Sequence, residues 1–149
     1  MKVLFLCLIT ILGLLSYVKS VTVYCEFKVD RYGYKCEVKS LVITSNYDRT
    51  ISEVTGDHLS GKSNSDVTHF YSVQPTVNYF PLGITHFFNN LYAVKLSSGS
   101  SLSEIHSSDL QQFGDKLTVL WMSDNSIEVL EADLFQFNPN LEKIGFSNN

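Results

Sequence analysis

A nine-residue pattern that occurs twice constrains what this chain can fold into. Residues 117–125 read LTVLWMSDN and residues 141–149 read LEKIGFSNN, and both follow the form LxxLxLxxN with Ile144 and Phe146 as apolar equivalents. Apolar residues that alternate in this way predict a strand with one buried face. The terminal asparagine suits a bend, because its amide both donates to and accepts from backbone groups. The pattern therefore predicts strands that each end in a turn.

The same pattern recurs through most of the chain. Starting positions fall at Val38, Val67, Leu91, Leu117 and Leu141, with spacings of 29, 24, 26 and 24 residues. Ser72, Pro75 and Gly99 depart from the LxxLxLxxN pattern. The alternative to a repeat protein is an ordinary α/β domain with chance leucine spacing. A near-constant period of about 20 to 29 residues favours a repeat architecture over that alternative.

With these motifs, residues 38–149 resemble the extracellular leucine-rich repeat family. Within it, the chain is most similar to secreted insect leucine-rich repeat proteins that open with a two-cysteine N-terminal cap. The resemblance implies an α/β solenoid: a leucine-rich repeat horseshoe segment with a parallel concave sheet and an irregular or short-helical convex side. It also implies a role in recognition, adhesion or immunity, although a fold hosts many functions.

The first twenty residues predict a signal peptide. Lys2 gives a short positive start, residues 3–15 are nearly all apolar, and residues 18–20 suit cleavage before Val21. A membrane anchor is the alternative, but the apolar run is shorter than the ~20 residues that a spanning helix needs. We therefore expect a secreted, extracellular protein with no membrane span.

The cysteines agree with this interpretation. Once Cys7 is removed with the signal peptide, Cys25 and Cys36 remain as an even pair, which predicts a disulfide in a secreted chain. A metal site is the alternative, but no histidine neighbours the pair. Residues 21–37 alternate in polarity and predict a stapled hairpin with its turn at residues 30–33. The predicted domains are the signal peptide at 1–20, the cap hairpin at 21–37 and the repeats at 38–149, the last incomplete.

Composition and motifs argue against chemistry. The net charge is −4. The chain therefore lacks the excess of basic residues that would predict nucleic acid as a partner. His58, His69, His86 and His106 are scattered and show no metal-ligand spacing. Residues 56–63, GDHLSGKS, match a phosphate-binding loop, but their flanks are polar and irregular, so we interpret the match as chance. The sequence predicts no catalytic residue, no metal, no cofactor and no enzyme.

Residues between the buried strand positions predict a binding surface on the concave face. Its central column reads Val42, Tyr71, Lys95, Trp121 and Gly145. The predicted binding residues are His69, Tyr71, Lys95, Val119, Trp121 and Lys143. An outward tryptophan near an outward tyrosine is typical of contact surfaces. The alternative is that Trp121 simply packs over its neighbours, with Lys95 on its ring face.

Two functional hypotheses follow. The first is a secreted, non-enzymatic protein that binds a macromolecular partner through its concave face; a protein is the expected partner, and a glycan or microbial surface is the alternative. The second is a structural segment or fragment of a longer solenoid or assembly. Terminal repeats need a polar cap, so the second hypothesis predicts self-association through the last, uncapped repeat at residues 141–149.

Overall fold

A computed structural model describes residues 21–73, 75–97 and 101–149. The predicted signal peptide and Gly99 lie outside the described residues. The strands are β1 (Val21–Tyr24), β2 (Glu26–Val29), β3 (Tyr34–Val38), β4 (Val42–Ile43), β5 (Ile51–Thr55), β6 (His69–Val73), β7 (Thr76–Val77), β8 (Ala93–Ser97), β9 (Val119–Trp121) and β10 (Lys143–Gly145). The helices are α1 (Ser107–Leu110) and 3-10 turns at Asn46–Asp48, Asn64–Asp66, Ile84–His86 and Gln111–Lys116.

A six-stranded mixed sheet dominates the structure. Its strand order is β10-β9-β8-β6-β3-β2, with β2 antiparallel to β3 and the other neighbours parallel. Two parallel two-stranded sheets, β1–β5 and β4–β7, accompany it. The segments that connect strands of the large sheet are therefore themselves partly extended.

The predicted fold class is wrong. The chain does not form an α/β solenoid with a short-helical convex side; it forms a mixed six-stranded sheet with two small sheets. In the described part of the chain, α-helix is limited to the four residues of α1. The connecting segments carry β-branched residues such as Ile43, Ile51 and Val77, which favour extended backbone. They form short parallel pairs, β4 with β7 and β5 with the N-terminal β1, and not a returning layer of helices.

The N-terminal hairpin is present, but with a shorter first arm than predicted. Strands β2 and β3 pair antiparallel, and the Asp30 carboxylate accepts the backbone N–H of Tyr32 at 2.8 Å in the turn. The extended segment is interrupted at Cys25. The strand before it, β1, is not part of the hairpin and pairs in parallel with β5, thirty residues further along the chain. Gly33 has a φ of 152°, and a Cβ there would overlap the side chain of Thr68, so the turn needs glycine.

The first strand expected from the repeat pattern is also misplaced. The strand that lies beside β6 in the large sheet is β3, Tyr34–Val38, with Glu37 opposite Tyr71. The predicted strand at residues 38–46 supplies only Val42 and Ile43, which pair with β7 in a separate sheet. Both segments alternate in polarity, and the sequence pattern alone does not distinguish them. Val42 therefore does not join the outward column of the large sheet.

Side chains on the inner face of the large sheet form the core. Cys36, Phe70, Val94 and Leu120 stand in register on four successive strands and are almost completely buried. Fully burying an apolar side chain of this size stabilises a fold by about 1.5–3 kcal/mol. This buried row fixes which side chains point outward, because shifting the register of a strand by one residue would expose its buried side chain.

The predicted disulfide is confirmed. Cys25 and Cys36 are bonded, their Cα atoms are 4.9 Å apart, and both are buried. A disulfide persists in oxidising compartments, so its presence is consistent with an extracellular location. Among the residues that the structure describes, no helix has the length and apolar character needed to cross a membrane.

Candidate functional site

The six residues predicted to bind lie together in one groove on the outer face of the large sheet. We call this feature the outward groove; it has a volume of about 380 Å³. It is lined by Tyr32, His69, Tyr71, Ala93, Lys95, Val119, Trp121 and Lys143. Sequence reasoning missed Tyr32; it placed Ala93 on the outward face but not among the binding residues. The structure brings the predicted residues together, and their role in binding stays a prediction.

The register of the parallel strands builds the groove. One row across the sheet holds His69, Ala93, Val119 and Lys143, and a second holds Tyr71, Lys95, Trp121 and Gly145. Members of the two rows are two residues apart along each strand, so their side chains share one face. On β6, β8 and β9 the residues between them are the buried Phe70, Val94 and Leu120, whereas Ile144 on β10 is 44% exposed. A packed inner layer therefore holds the part of the outward groove that β6, β8 and β9 form.

Trp121 lies flat against the sheet because its neighbour on β10 is a glycine. A Cβ at Gly145 would overlap the six-membered ring of Trp121, so the indole occupies the space that a side chain there would take. Gly145 is buried beneath the ring, while Trp121 remains 38% exposed. The alternative that Trp121 packs over a neighbouring strand residue is therefore met at Gly145, while no cation–π contact of Lys95 with this ring is found among the described residues. One ring face is left open to a ligand.

His69 forms part of the groove wall as a neutral ring. Its Nδ1 lies 2.8 Å from the hydroxyl of Thr68, and that hydroxyl donates to the carbonyl of Tyr34 at 3.1 Å. The hydroxyl therefore accepts from Nδ1–H, which leaves Nε2 as a hydrogen-bond acceptor. Burial lowers the pKa of His69, since it is only 4% exposed and the charged form would be poorly solvated. The edges of Tyr71 and Tyr92 hold the ring.

Tyr32 reaches the groove from the hairpin turn. Its backbone carbonyl accepts a hydrogen bond from the hydroxyl of Tyr92 at 3.1 Å, which ties the turn to the segment before β8. The guanidinium of Arg31 stands 4.6 Å from its ring centre. A turn residue has no place in the strand pattern, so no sequence signal pointed to Tyr32. The N-terminal hairpin thus contributes one wall of the groove.

Charged side chains at the hairpin end of the same face are paired with one another. The Lys28 ammonium lies 2.6 Å from Glu37 and 2.9 Å from Glu26, and Lys35 lies 3.0 Å from Glu37 and 3.2 Å from Asp30. The hydrogen bond from Lys28, aided by Lys35, holds the pKa of Glu37 below its usual value. This end of the face is electrostatically self-contained.

The lysines at the other end have no such partners. Lys95 on β8 and Lys143 on β10 are exposed, and neither forms an ion pair with any residue that the structure describes. The chain as a whole carries −4, so the groove is locally opposite in sign to the protein. Two free ammonium groups beside an open aromatic face form a site suited to binding.

His58 and His106 hold connecting segments in place. His58 stacks on Phe27 with ring centres 3.8 Å apart and bonds to Tyr34 and Asn64, each at 2.9 Å. His106 lies 2.6 Å from the carboxylate of Glu131, which raises the pKa of that imidazole. Within the described ranges, no three histidine, cysteine or acidic side chains are grouped so that they could hold a metal ion.

Comparison with known proteins gave no match to the chain, whether with family models, curated proteins or solved structures. The resemblance to extracellular leucine-rich repeat proteins, including the insect ones, therefore stays a prediction. The functional assignment depends on the groove itself: its aromatic residues, its two free lysines and the neutral ring of His69.

Proposed function

We propose that the protein is a secreted, non-enzymatic binding protein that holds a segment of another protein in the outward groove. The observation that carries the proposal is the placement of Trp121 in a groove of about 380 Å³, with Lys95 opposite it on β8 and Lys143 diagonal to it on β10. Tryptophan and tyrosine dominate the energetics of protein–protein contacts, because they bury large areas at low entropy cost.

The setting of these residues supports binding. They stand on parallel strands whose inner side chains, such as Phe70 and Leu120, are completely buried. A surface fixed in this way loses little conformational entropy when a partner arrives. Secretion is supported by the Cys25–Cys36 disulfide and by the signal peptide predicted at residues 1–20.

The proposal is tested by selecting binders from a displayed peptide library against the mature chain. Selected peptides are then measured against a Trp121→Ala, Tyr71→Ala double variant. We expect binding to weaken by at least about 100-fold, because two central aromatic contacts typically carry most of the affinity. The melting temperature should fall by no more than about 3 °C, since neither side chain belongs to the inner core.

The matched control is a Tyr24→Ala, Tyr47→Ala double variant. Both tyrosines are exposed, Tyr47 by 88%, and neither lines the groove. The control should bind the selected peptides as the parent does. Equal binding by the groove variant and the parent would exclude this surface as the binding site.

A structural role is the second candidate, because apolar side chains are exposed on β10 and in the segment that precedes it in the chain. Ile144 is 44% exposed and Val129 73% exposed, with Leu130 and Phe137 also accessible. In this role a second copy of the chain covers these side chains. Sedimentation of the mature chain tests the idea: self-association that Ile144→Lys abolishes would support it, and a monomer at high protein concentration would contradict it.

A further inference from the structure

We propose that the outward groove takes an extended acidic segment of a partner protein, in which two carboxylates four residues apart flank a central apolar side chain. This inference rests on the proposed function and specifies the chemistry of the ligand. It is carried by the spacing of the two unpaired lysines, by what lies between them and by the pairing of the other charges on this face.

The spacing follows from the strand register. Lys95 lies opposite Trp121, which lies opposite Gly145, and Lys143 precedes Gly145 by two residues. With strands about 4.8 Å apart and about 3.3 Å per residue, the two lysine backbones are separated by about 12 Å along a diagonal. In an extended peptide, side chains on one face recur every second residue, so positions i and i+4 are about 13 Å apart. Two carboxylates at that spacing match the separation of the two lysine backbones.

The middle of the diagonal is apolar. It crosses β9 between Val119, which is half-buried, and Trp121, whose outer ring face is open. The side chain at i+2 of the bound segment would lie over these two residues. Burying it there removes apolar surface from water at about 25 cal/mol per Å². A leucine or a similar residue is therefore expected at the centre.

The hairpin end of the face cannot compete for this ligand. Lys35 is already bonded to Asp30 and Glu37, and its ammonium also stands 5.3 Å from the ring centre of Tyr71. A carboxylate placed there would meet two existing carboxylates. The segment is thus directed over β8, β9 and β10.

The overall negative charge of the protein does not oppose this assignment. At physiological ionic strength, charges more than about 8 Å apart are largely screened, so local ammonium groups outweigh distant carboxylates. The acceptor Nε2 of His69 offers a further contact, because it can take a hydrogen bond from a backbone N–H or a serine hydroxyl of the segment.

The test uses the fluorescence of Trp121, the single tryptophan of the chain. The probe is a blocked peptide with the order aspartate, serine, leucine, serine, aspartate. It is compared with a peptide in which lysine replaces both aspartates and with one in which serine replaces leucine. We expect saturable binding of the acidic peptide, at least about 10-fold weaker binding of the serine-centred one, and none of the basic one.

Variants of the protein test the two lysines. Lys95→Gln and Lys143→Gln should each weaken binding by about 2- to 5-fold, the range for exposed ion pairs, and the double variant by about 5- to 20-fold. Lys116→Gln, which removes a lysine charge outside the groove, should leave the affinity for the acidic peptide unchanged. Both groove lysines are exposed, so the variants should keep the parent melting temperature.

Several outcomes would overturn the inference. They are equal affinity for the acidic and basic peptides, unchanged affinity in the double lysine variant, and tighter binding of an acidic oligosaccharide than of the peptide. Its failure can be told apart from failure of the proposed function. If library-selected peptides depend on Trp121 and Tyr71 but ignore both lysines, the function stands and the acidic chemistry does not. If no selected peptide depends on Trp121 and Tyr71, the function itself fails.

Discussion

The two ends of the outer sheet face differ in how they use charge. At the hairpin end, Lys28 and Lys35 lie within 3.2 Å of carboxylates on the same or the adjacent strand or in the turn between them. At the far end, Lys95 and Lys143 flank an open tryptophan and make no ion pair among the described residues. One end pairs its own charges, and the other leaves two ammonium groups without an ion-pair partner among the described residues.

The paired charges at the hairpin end protect an edge of the sheet from pairing with other chains. Strand β2 is an edge of the large sheet, and an edge strand exposes unpaired backbone groups that other chains can join. Alternating charged side chains, here Glu26 and Lys28, disfavour such pairing. The disulfide holds the same hairpin. The disulfide and the paired charges therefore protect one edge of the sheet, while β10 forms the opposite edge.

The largest expected effect comes from removing the disulfide. A Cys25→Ala, Cys36→Ala variant should lose about 3 kcal/mol of stability, because the unfolded chain regains the entropy of an open loop. The melting temperature should fall by about 10 °C. Differential scanning calorimetry measures both, with the reduced parent chain as control. A fall of less than about 2 °C would show that the hairpin end is stable without its covalent bond.

The next effect concerns the ion pairs. Glu37→Gln removes the carboxylate that both Lys28 and Lys35 contact, and we expect a loss of about 1 kcal/mol at neutral pH. The lysines lower the pKa of Glu37 from its ordinary value of 4.5, so its contribution is complete above that pH. It is lost as pH falls through the lower folded-state pKa.

Urea unfolding at several pH values checks this prediction. The difference in stability between the parent and Glu37→Gln should be constant above about pH 5 and shrink below about pH 4. Binding at the far end should be unchanged at neutral pH. A pH-independent difference would mean that the amide disturbs packing and that the ion pairs contribute little.

The smallest effect on stability is expected at the far end. Gly145→Ala places a methyl group where the Trp121 ring lies, so the ring must swing away from the sheet. Stability should change by less than about 1 kcal/mol, because Trp121 is already partly exposed. Its fluorescence emission should shift to longer wavelength, and groove ligands should bind more weakly. Gly61→Ala is the control for the spectrum only: a Cβ there would meet no neighbour, but the φ of 75° disfavours alanine, so we expect some loss of stability without a shift of the emission. An unshifted spectrum would contradict the flat placement of the indole.

Local sequence pattern predicted the strands of the large sheet better than it predicted their surroundings. Alternation at Phe70–Tyr71, Val94–Lys95 and Leu120–Trp121 identified inward and outward side chains correctly, because a strand with one buried face has a period of two. That is why the six predicted residues lie in one groove. The disulfide followed from the two remaining cysteines.

The failures involve contacts between distant parts of the chain. Parallel pairing of β1 with β5 joins residues about thirty positions apart. Nothing in the sequence of either segment indicates which strand it pairs with. Residues 38–46 match the strand pattern, yet Tyr34–Val38 fills that place because the disulfide and Phe70 hold Cys36 there. The solenoid was inferred from the repeated LxxLxLxxN pattern, its near-constant period and the resemblance that they carry, and none of these reveals that the connecting segments form small sheets.

The pairing of β1 with β5 has a consequence for the order in which the chain assembles as it emerges from the ribosome. At about 5–20 residues per second, residues 51–55 follow residues 21–24 by roughly 2–6 seconds. The antiparallel hairpin and its cysteines are complete well before that. We expect the disulfide of the hairpin to form first, while β1 is still unpaired. A chaperone that binds extended segments would therefore bind Val21–Tyr24 during this interval.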